Sequence, residues 1–137
     1  MKAAVLDSFA LIAYLEKEPG YEQVAALFDE CVAKNREVFL CIVNWGEVIH
    51  HALRSGGERT ARLAEDAIRA LPIQLVDVDR EITRQAAHLK ASNKMSYADC
   101  FAAAVAIRTK CELETGDREF TQVEGKVAIH WLRKAAR

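Results

Sequence analysis

Apolar and polar positions follow two rhythms along this chain, and the two keep exchanging. Residues 3–6 form a short apolar run closed by Asp7, and 9–17 follow as a helical stretch. Tyr21–Ala33 carries Val24, Leu27, Phe28, Cys31 and Val32, the i, i+3, i+4, i+7, i+8 stripe of a helix with one buried face. Residues 38–43 are apolar throughout, as in a strand covered on both faces. Helices are predicted over 45–54 and 58–71, with Gly56-Gly57 between them. A strand at 73–78 precedes a helix at 79–91 with Ile82, Ala86 and Leu89 on one face. The alanine-rich Tyr97–Thr109 reads as a helix, 111–115 as a strand and 127–132 as a last strand.

Strands that alternate with helical connections predict an α/β domain, a mainly parallel sheet with helices on both faces. The breakers Pro19-Gly20, Gly56-Gly57, Pro72, Gly116 and Gly125 are sparse and mark turns inside one domain, 1–137. In such sheets the functional crevice lies beyond the carboxyl ends of the strands. Chemistry is therefore to be sought where strand hands over to helix.

Composition narrows the class. Hydrophobic residues make up 51% and charged residues 28%, enough apolar material for a core and too much for disorder. Nineteen Lys and Arg face twenty Asp and Glu, a net charge of -1, which excludes a strongly basic nucleic-acid-binding module. Cys31, Cys41, Cys100 and Cys111 form no Cys-x-x-Cys pair and sit in apolar surroundings, so they read as reduced, small buried hydrophobes. Asp7 and Ser8 interrupt the apolar stretch near the amino terminus, which argues against export. The run 101–107 is far short of a membrane span. A cytoplasmic protein without membrane attachment is expected.

Four acids occupy strand-to-helix junctions. Asp7 ends the first strand, Glu47 stands just inside the helix after the second, Asp99 lies in the first turn of the alanine-rich helix, and Asp117 follows the fourth strand. Each one alone is explained by helix capping, which the macrodipole favours. The set is harder to dismiss, because neighbouring strands would bring the acids to one end of the sheet. Two carboxylates about 5 Å apart at an effective dielectric of about 20 repel by roughly 3 kcal/mol. Such a cluster must take up protons or bind a cation. Oxygen ligands without histidine or thiolate favour Mg²⁺ or Mn²⁺, and such an ion suits phosphodiester hydrolysis.

Four segments carry a resemblance. Val5-Leu6-Asp7-Ser8-Phe9-Ala10-Leu11-Ile12-Ala13 resembles the opening motif of the PIN-domain nucleases. The same holds, in the same order, for Asn44-Trp45-Gly46-Glu47-Val48, for the stretch from Ser96 through Asp99 to Ala104, and for Glu114-Thr115-Gly116-Asp117-Arg118-Glu119-Phe120. Order, spacing and length are similar to the VapC-type toxins of toxin–antitoxin pairs, over residues 3 to about 132. The resemblance implies a PIN-like three-layer sandwich with a five-stranded sheet between helices. It implies cleavage of single-stranded RNA with a 5′-phosphate product, a homodimer, and a small antitoxin that plugs the site. Asp7, Glu47 and Asp99 would be the core ligands of Mg²⁺ or Mn²⁺, with Asp117 as the fourth acid. Ser8 would orient the metal shell, supported by Asn44 and Thr115.

Other readings are weaker. Glu47-Val48-Ile49-His50 is a Glu-x-x-His, but a di-iron bundle needs a second one and four long helices. The acidic pair of a receiver domain, the Asp-x-Asp of haloacid-dehalogenase-type phosphatases and a P-loop are all absent from the sequence. The rival from another class is a non-catalytic PIN-fold subunit that binds nucleic acid or regulates a partner. His50 and His51 are expected at a groove and in solvent, and His88 and His130 at the surface or satisfied in the core. Arg80, Arg84, Lys90, Lys94 and Arg118 are the candidate cations of an RNA path. Setting the four site acids aside leaves 19 positive residues against 16 negative ones, so the balance does not exclude RNA as a substrate.

Overall fold

Five short strands, all parallel, carry the fold. The computed structural model describes residues 3–132. Positions 1–2 and 133–137, the two ends of the expected 1–137 domain, lie outside the described residues, as does the start of the stretch read against export. The elements run β1 (Ala4–Leu6), α1 (Ser8–Glu16), α2 (Tyr21–Ala33), β2 (Val38–Cys41), α3 (Ile42–Arg69), β3 (Ile73–Val76), α4 (Arg80–Ser92), α5 (Tyr97–Thr109) and β4 (Glu112–Thr115). A 3₁₀ turn (Arg118–Val123) and β5 (Ile129–Trp131) follow.

The sheet order is β3-β2-β1-β4-β5, and every pairing is parallel. The chain builds outward from β1 to β2 and β3, then returns to the other side of β1 as β4 and β5. That reversal places the crevice at the carboxyl ends of β1 and β4. The expected α/β three-layer architecture is what the chain adopts.

Side chains alternate across the strands, so each buried strand feeds two cores. Val5, Cys41 and Leu113 pack on the face covered by α4 and α5. Ala4, Leu6, Val38 and Leu40 pack on the face covered by α1, α2 and α3. Helix α5 is buried nearly all round, from Asp99 to Ala106, and touches α3, α4 and strands β1, β2 and β4. A helix without a polar face belongs inside, and its alanines let the neighbours approach closely. Cys31, Cys41 and Cys100 are buried free thiols, as read from their surroundings, and Cys111 is half-buried.

The strands β2, β3 and β5 are shorter than the sequence reading by two or three residues. The apolar run 38–43 stops being strand at Cys41, and Ile42 already opens α3. The two helices expected at 45–54 and 58–71 are present as the two arms of α3, which meet at Gly57, whose φ of 74° and ψ of -164° leave the helical region. That backbone region is nearly exclusive to glycine. Gly57→Ala is therefore expected to cost about 1–3 kcal/mol, read as a lowered denaturant midpoint with unchanged slope. An unchanged midpoint would contradict a strained bend. No helix among the described residues is long and apolar enough to cross a membrane.

Candidate active site

Asp7 leaves β1 in extended conformation and caps α1, its Oδ1 accepting the Ala10 N–H at 2.8 Å. Its Oδ2 accepts the hydroxyl of Thr115, the last residue of β4. The same Thr115 Oγ1 accepts the Asp117 N–H at 3.0 Å. One hydroxyl thus joins the first and fourth acids across neighbouring strands. Asp117 in turn caps the 3₁₀ turn, its Oδ1 accepting the Glu119 N–H at 3.0 Å.

On the other flank, Asn44 Nδ2 donates to Glu47 Oε1 at 3.0 Å and to the Ala98 carbonyl at 3.1 Å. This ties the start of α3 to the start of α5, where Asp99 stands. Ser96, not Asp99, caps α5, its Oγ accepting the Asp99 N–H at 3.1 Å. The Asp99 carboxylate caps no helix; its hydrogen-bond partner is the Ser96 side chain. Capping is thus a true description of Asp7 and Asp117 and a poor one of Asp99.

Burial sets the charge of the pair at the floor. Asp7 is 1% exposed and Asp99 is 8% exposed. Burial pushes the Asp7 carboxyl up to about 7, against hydrogen bonds from Thr115 and Ala10 that favour the anion, and the charges of Asp99 and Asp117 raise it further. Burial also raises Asp99 to about 6, with Asp117, Glu47 and Glu119 adding repulsion and the Ser96 bond opposing them. The sheet topology therefore brings together Asp7, Glu47, Asp99 and Asp117, each within electrostatic reach of another.

Above this floor opens a cleft of about 420 Å³ lined by Ser8, Phe9, Glu47, Ser96, Asp99, Asp117 and Glu119, with Ile12 and Glu18 at its edge. Gly116 shapes one wall, since a Cβ there would meet the Phe9 ring at 2.4 Å. Asp99, Asp117 and Glu119 each offer a carboxylate oxygen within 4.8 Å of the others. Glu119 escaped the sequence reading. Its spacing of two after Asp117 shares a face only in a strand, which this segment is not; the 3₁₀ turn carries both carboxylates to one side.

The donor set is carboxylate and hydroxyl, with neither His nor Cys among the cleft residues, which suits a hard divalent cation. Asn44 Oδ1, buried at the edge of the cluster, has no hydrogen-bond partner among the described residues. An acceptor left so inside a protein calls for a water or an ion. Asp7, deeper than the rest, has both oxygens engaged, yet each carboxylate oxygen accepts more than one contact.

The remaining candidates divide. His50 is exposed, and His51 lies on a groove with Glu16, at 2.9 Å, so neither belongs to the acids. Glu47 and His50 therefore form no metal motif. His88 is exposed, and His130 pairs with the buried Glu114 of β4, whose carboxyl burial pushes up. Lys90 donates to the Met95 carbonyl at 2.6 Å.

Comparison with known proteins agrees with this fold. The family model described as "PIN domain" matches residues 4–126. No curated protein matches by sequence. Among solved structures, VapBC2 from Rickettsia felis bound to a promoter DNA fragment superposes with a TM-score of 0.77 at 15% identity, covering 96% of this chain and 100% of that one. DNA-bound VapBC from Salmonella typhimurium gives 0.77 at 20% identity, covering 95% and 98%. VapC20 from Mycobacterium tuberculosis, a toxin that cleaves the sarcin-ricin loop, gives 0.68 at 16% identity, covering 88% and 95%. At these identities the likeness is one of fold, whereas the family pattern runs through all four acidic junctions. The chain belongs to the PIN-domain family.

Proposed function

We propose that this protein is a metal-dependent endoribonuclease, the toxin of a toxin–antitoxin pair, acting as a homodimer in the cytoplasm. The observation that carries the reading is the convergence of Asp7, Glu47, Asp99 and Asp117 at the carboxyl ends of β1 and β4. Two of these carboxyls are held well above their ordinary range, a cost that a structural cap does not require. The fold-level likeness to VapC toxins supports the substrate class.

In this mechanism Asp7, Glu47, Asp99 and Asp117 would hold one or two Mg²⁺ or Mn²⁺ ions, and Glu119, whose carboxylate oxygen lies with those of Asp99 and Asp117, would join them. The ion, when bound, supplies Lewis-acid activation of water and neutralises charge on the phosphodiester. Thr115 keeps Asp7 and Asp117 in register through one hydroxyl. Asn44 holds Glu47 toward Asp99 by its bond to the Ala98 carbonyl. Ser8 presents its hydroxyl to the same cleft. RNA lies across the open cleft, and a water in line with the scissile bond leaves the phosphate on the 5′ end of the product.

The antitoxin has a seat in this account. An apolar groove of about 220 Å³ runs between α1 and the two arms of α3, lined by Ile12, Leu15, Val48, Ala52, Leu63 and Ala67. Leu63 is 60% exposed there. Ile12 lines both this groove and the acidic cleft, so the two are neighbours. A small partner that lays an apolar segment in the groove can reach a basic side chain into the carboxylates. The family members solved as VapBC complexes support such a partner.

The test of the activity is incubation of the purified protein with total RNA in Mg²⁺ or Mn²⁺ and in excess chelator. Discrete fragments with the ion and none with chelator are expected. Fragments that persist in chelator, or tight RNA binding with no turnover under any divalent ion, would contradict it.

A further inference from the structure

Arg118 stands between two cleft acids in sequence, Asp117 and Glu119, yet it forms no ion pair with either among the described residues. Its guanidinium carbon lies instead 4.5 Å from the centre of the Trp131 ring. Trp131 is the last residue of β5 and is in register with Thr115, the residue that joins Asp7 to Asp117. The pair therefore stands at the carboxyl-end rim of the sheet, one strand from the acids.

Both members are held. The Trp131 indole N–H donates to Glu124 at 3.2 Å, which fixes the rotation of the ring. The 3₁₀ turn that carries Arg118 is anchored by Phe120 and Val123, both buried. Gln122 clamps it further, accepting the Lys94 N–H at 2.8 Å and donating to the Lys94 carbonyl at 3.1 Å. A face-on contact with an aromatic ring orients a guanidinium without spending its N–H donors. Of the other cations expected along an RNA path, Lys90 is bound to a carbonyl. The side chains of Arg80, Arg84 and Lys94 have no fixing partner among the described residues.

A cleft walled by carboxylates attracts a polyanion only where its ion sits, and the phosphates on either side need cations of their own. We propose that Arg118, positioned by Trp131, binds the backbone phosphate next to the scissile one on the RNA strand. This rests on the nuclease reading. The planar fork of N–H groups suits two phosphate oxygens at once, and the ring keeps it from folding back onto Asp117 or Glu119.

The test measures binding of a random-sequence single-stranded RNA pool against salt with Ca²⁺ in place of Mg²⁺, so that the acids are neutralised while cleavage is slowed, and KM for cleavage in Mg²⁺, both in the otherwise wild-type protein. Arg118→Ala is expected to weaken binding about tenfold at low salt. It should also reduce the slope of log affinity against log salt by about 0.7, one phosphate on a single strand. Arg118→Lys should restore the slope but not the affinity. Trp131→Leu should weaken binding about threefold with the slope unchanged, and Trp131→Phe should recover part of that loss. A purely structural Arg118 would leave the salt slope untouched.

An Arg118→Ala protein with wild-type affinity, KM and slope overturns the proposal. So does a loss of affinity that salt does not affect, which would mean a base contact. If the chain with Arg118 intact binds and cleaves while these results hold, the nuclease reading survives alone. If it neither binds nor cleaves RNA, the two fall together.

Discussion

Asp7→Asn is expected to lower RNA cleavage by at least about a thousandfold while leaving the fold intact or firmer. The loss follows from removing a charged oxygen at the floor of the acidic cluster, where an ion's stabilisation of the reacting phosphate is worth several kcal/mol. The gain follows from linkage. The native Asp7 carboxyl sits at about 7 against an ordinary 3.8, so the folded chain keeps a proton that the unfolded chain releases between those values. Metal-free stability therefore falls as pH rises from about 4 to about 7, and levels off above. Asparagine carries no charge and escapes that fall, by about 1–4 kcal/mol at neutral pH and above. The Tm of the metal-free variant should exceed that of wild type by several degrees at pH 8, and the gap should close toward pH 4. Added Mn²⁺ should raise the Tm of the wild type and hardly move the variant. Undiminished cleavage, or a gap that widens on acidification, would defeat this account of Asp7.

Ion binding itself should depend steeply on pH. The carboxyls of Asp7 and Asp99, raised to about 7 and about 6, must be deprotonated before they can serve as ligands. Apparent Mn²⁺ affinity should fall about tenfold per pH unit just below 7, and about a hundredfold per unit once pH drops below 6. Calorimetry in buffers of different ionisation heat should register about one or more protons released per ion at pH 6, and close to none at pH 8. The two groups interact, so the curve reports the pair and not either residue alone. Affinity flat across this range, or protons taken up on binding, would show that the ion goes elsewhere.

Much of this site was legible before any coordinates. Asp7, Glu47 and Asp117 stand where strand hands over to helix, and a parallel sheet has to bring such junctions to one edge; Asp99, expected at such a junction too, instead follows α4 at the start of α5 and reaches the others through helix packing. The apolar run into Asp7 and the alanine-rich stretch after Ser96 mark their elements by pattern alone. Tertiary context decided the rest. Ile42 and Val43 have strand-forming side chains, yet α3 starts there, so that Asn44 can reach both Glu47 and the Ala98 carbonyl. Gly56-Gly57 reads as a gap between helices, and the helical path does break there, at Gly57. Only one of the two glycines leaves helical geometry. Glu119 joins the acids, and Trp131 meets Arg118, through a 3₁₀ turn that has no periodic signature.

The charge balance acquires a local meaning as well. The chain is nearly neutral overall, but five of its twenty acids line one crevice, with a guanidinium held on an aromatic ring at the rim. A polyanion meets repulsion in that crevice until the carboxylates are neutralised. Net charge is thus a poor guide to substrate here, and the bound ion decides.

The central claim is that water, assisted by an ion held at these carboxylates, breaks an RNA phosphodiester. Its most direct test is to sequence RNA ends, sorted by end chemistry, after induced expression of the wild-type chain and of Asp7→Asn. New 5′-phosphate ends at defined sites are expected with the wild type and none with the variant. New ends bearing 5′-hydroxyls, or equal cutting by the variant, would contradict it.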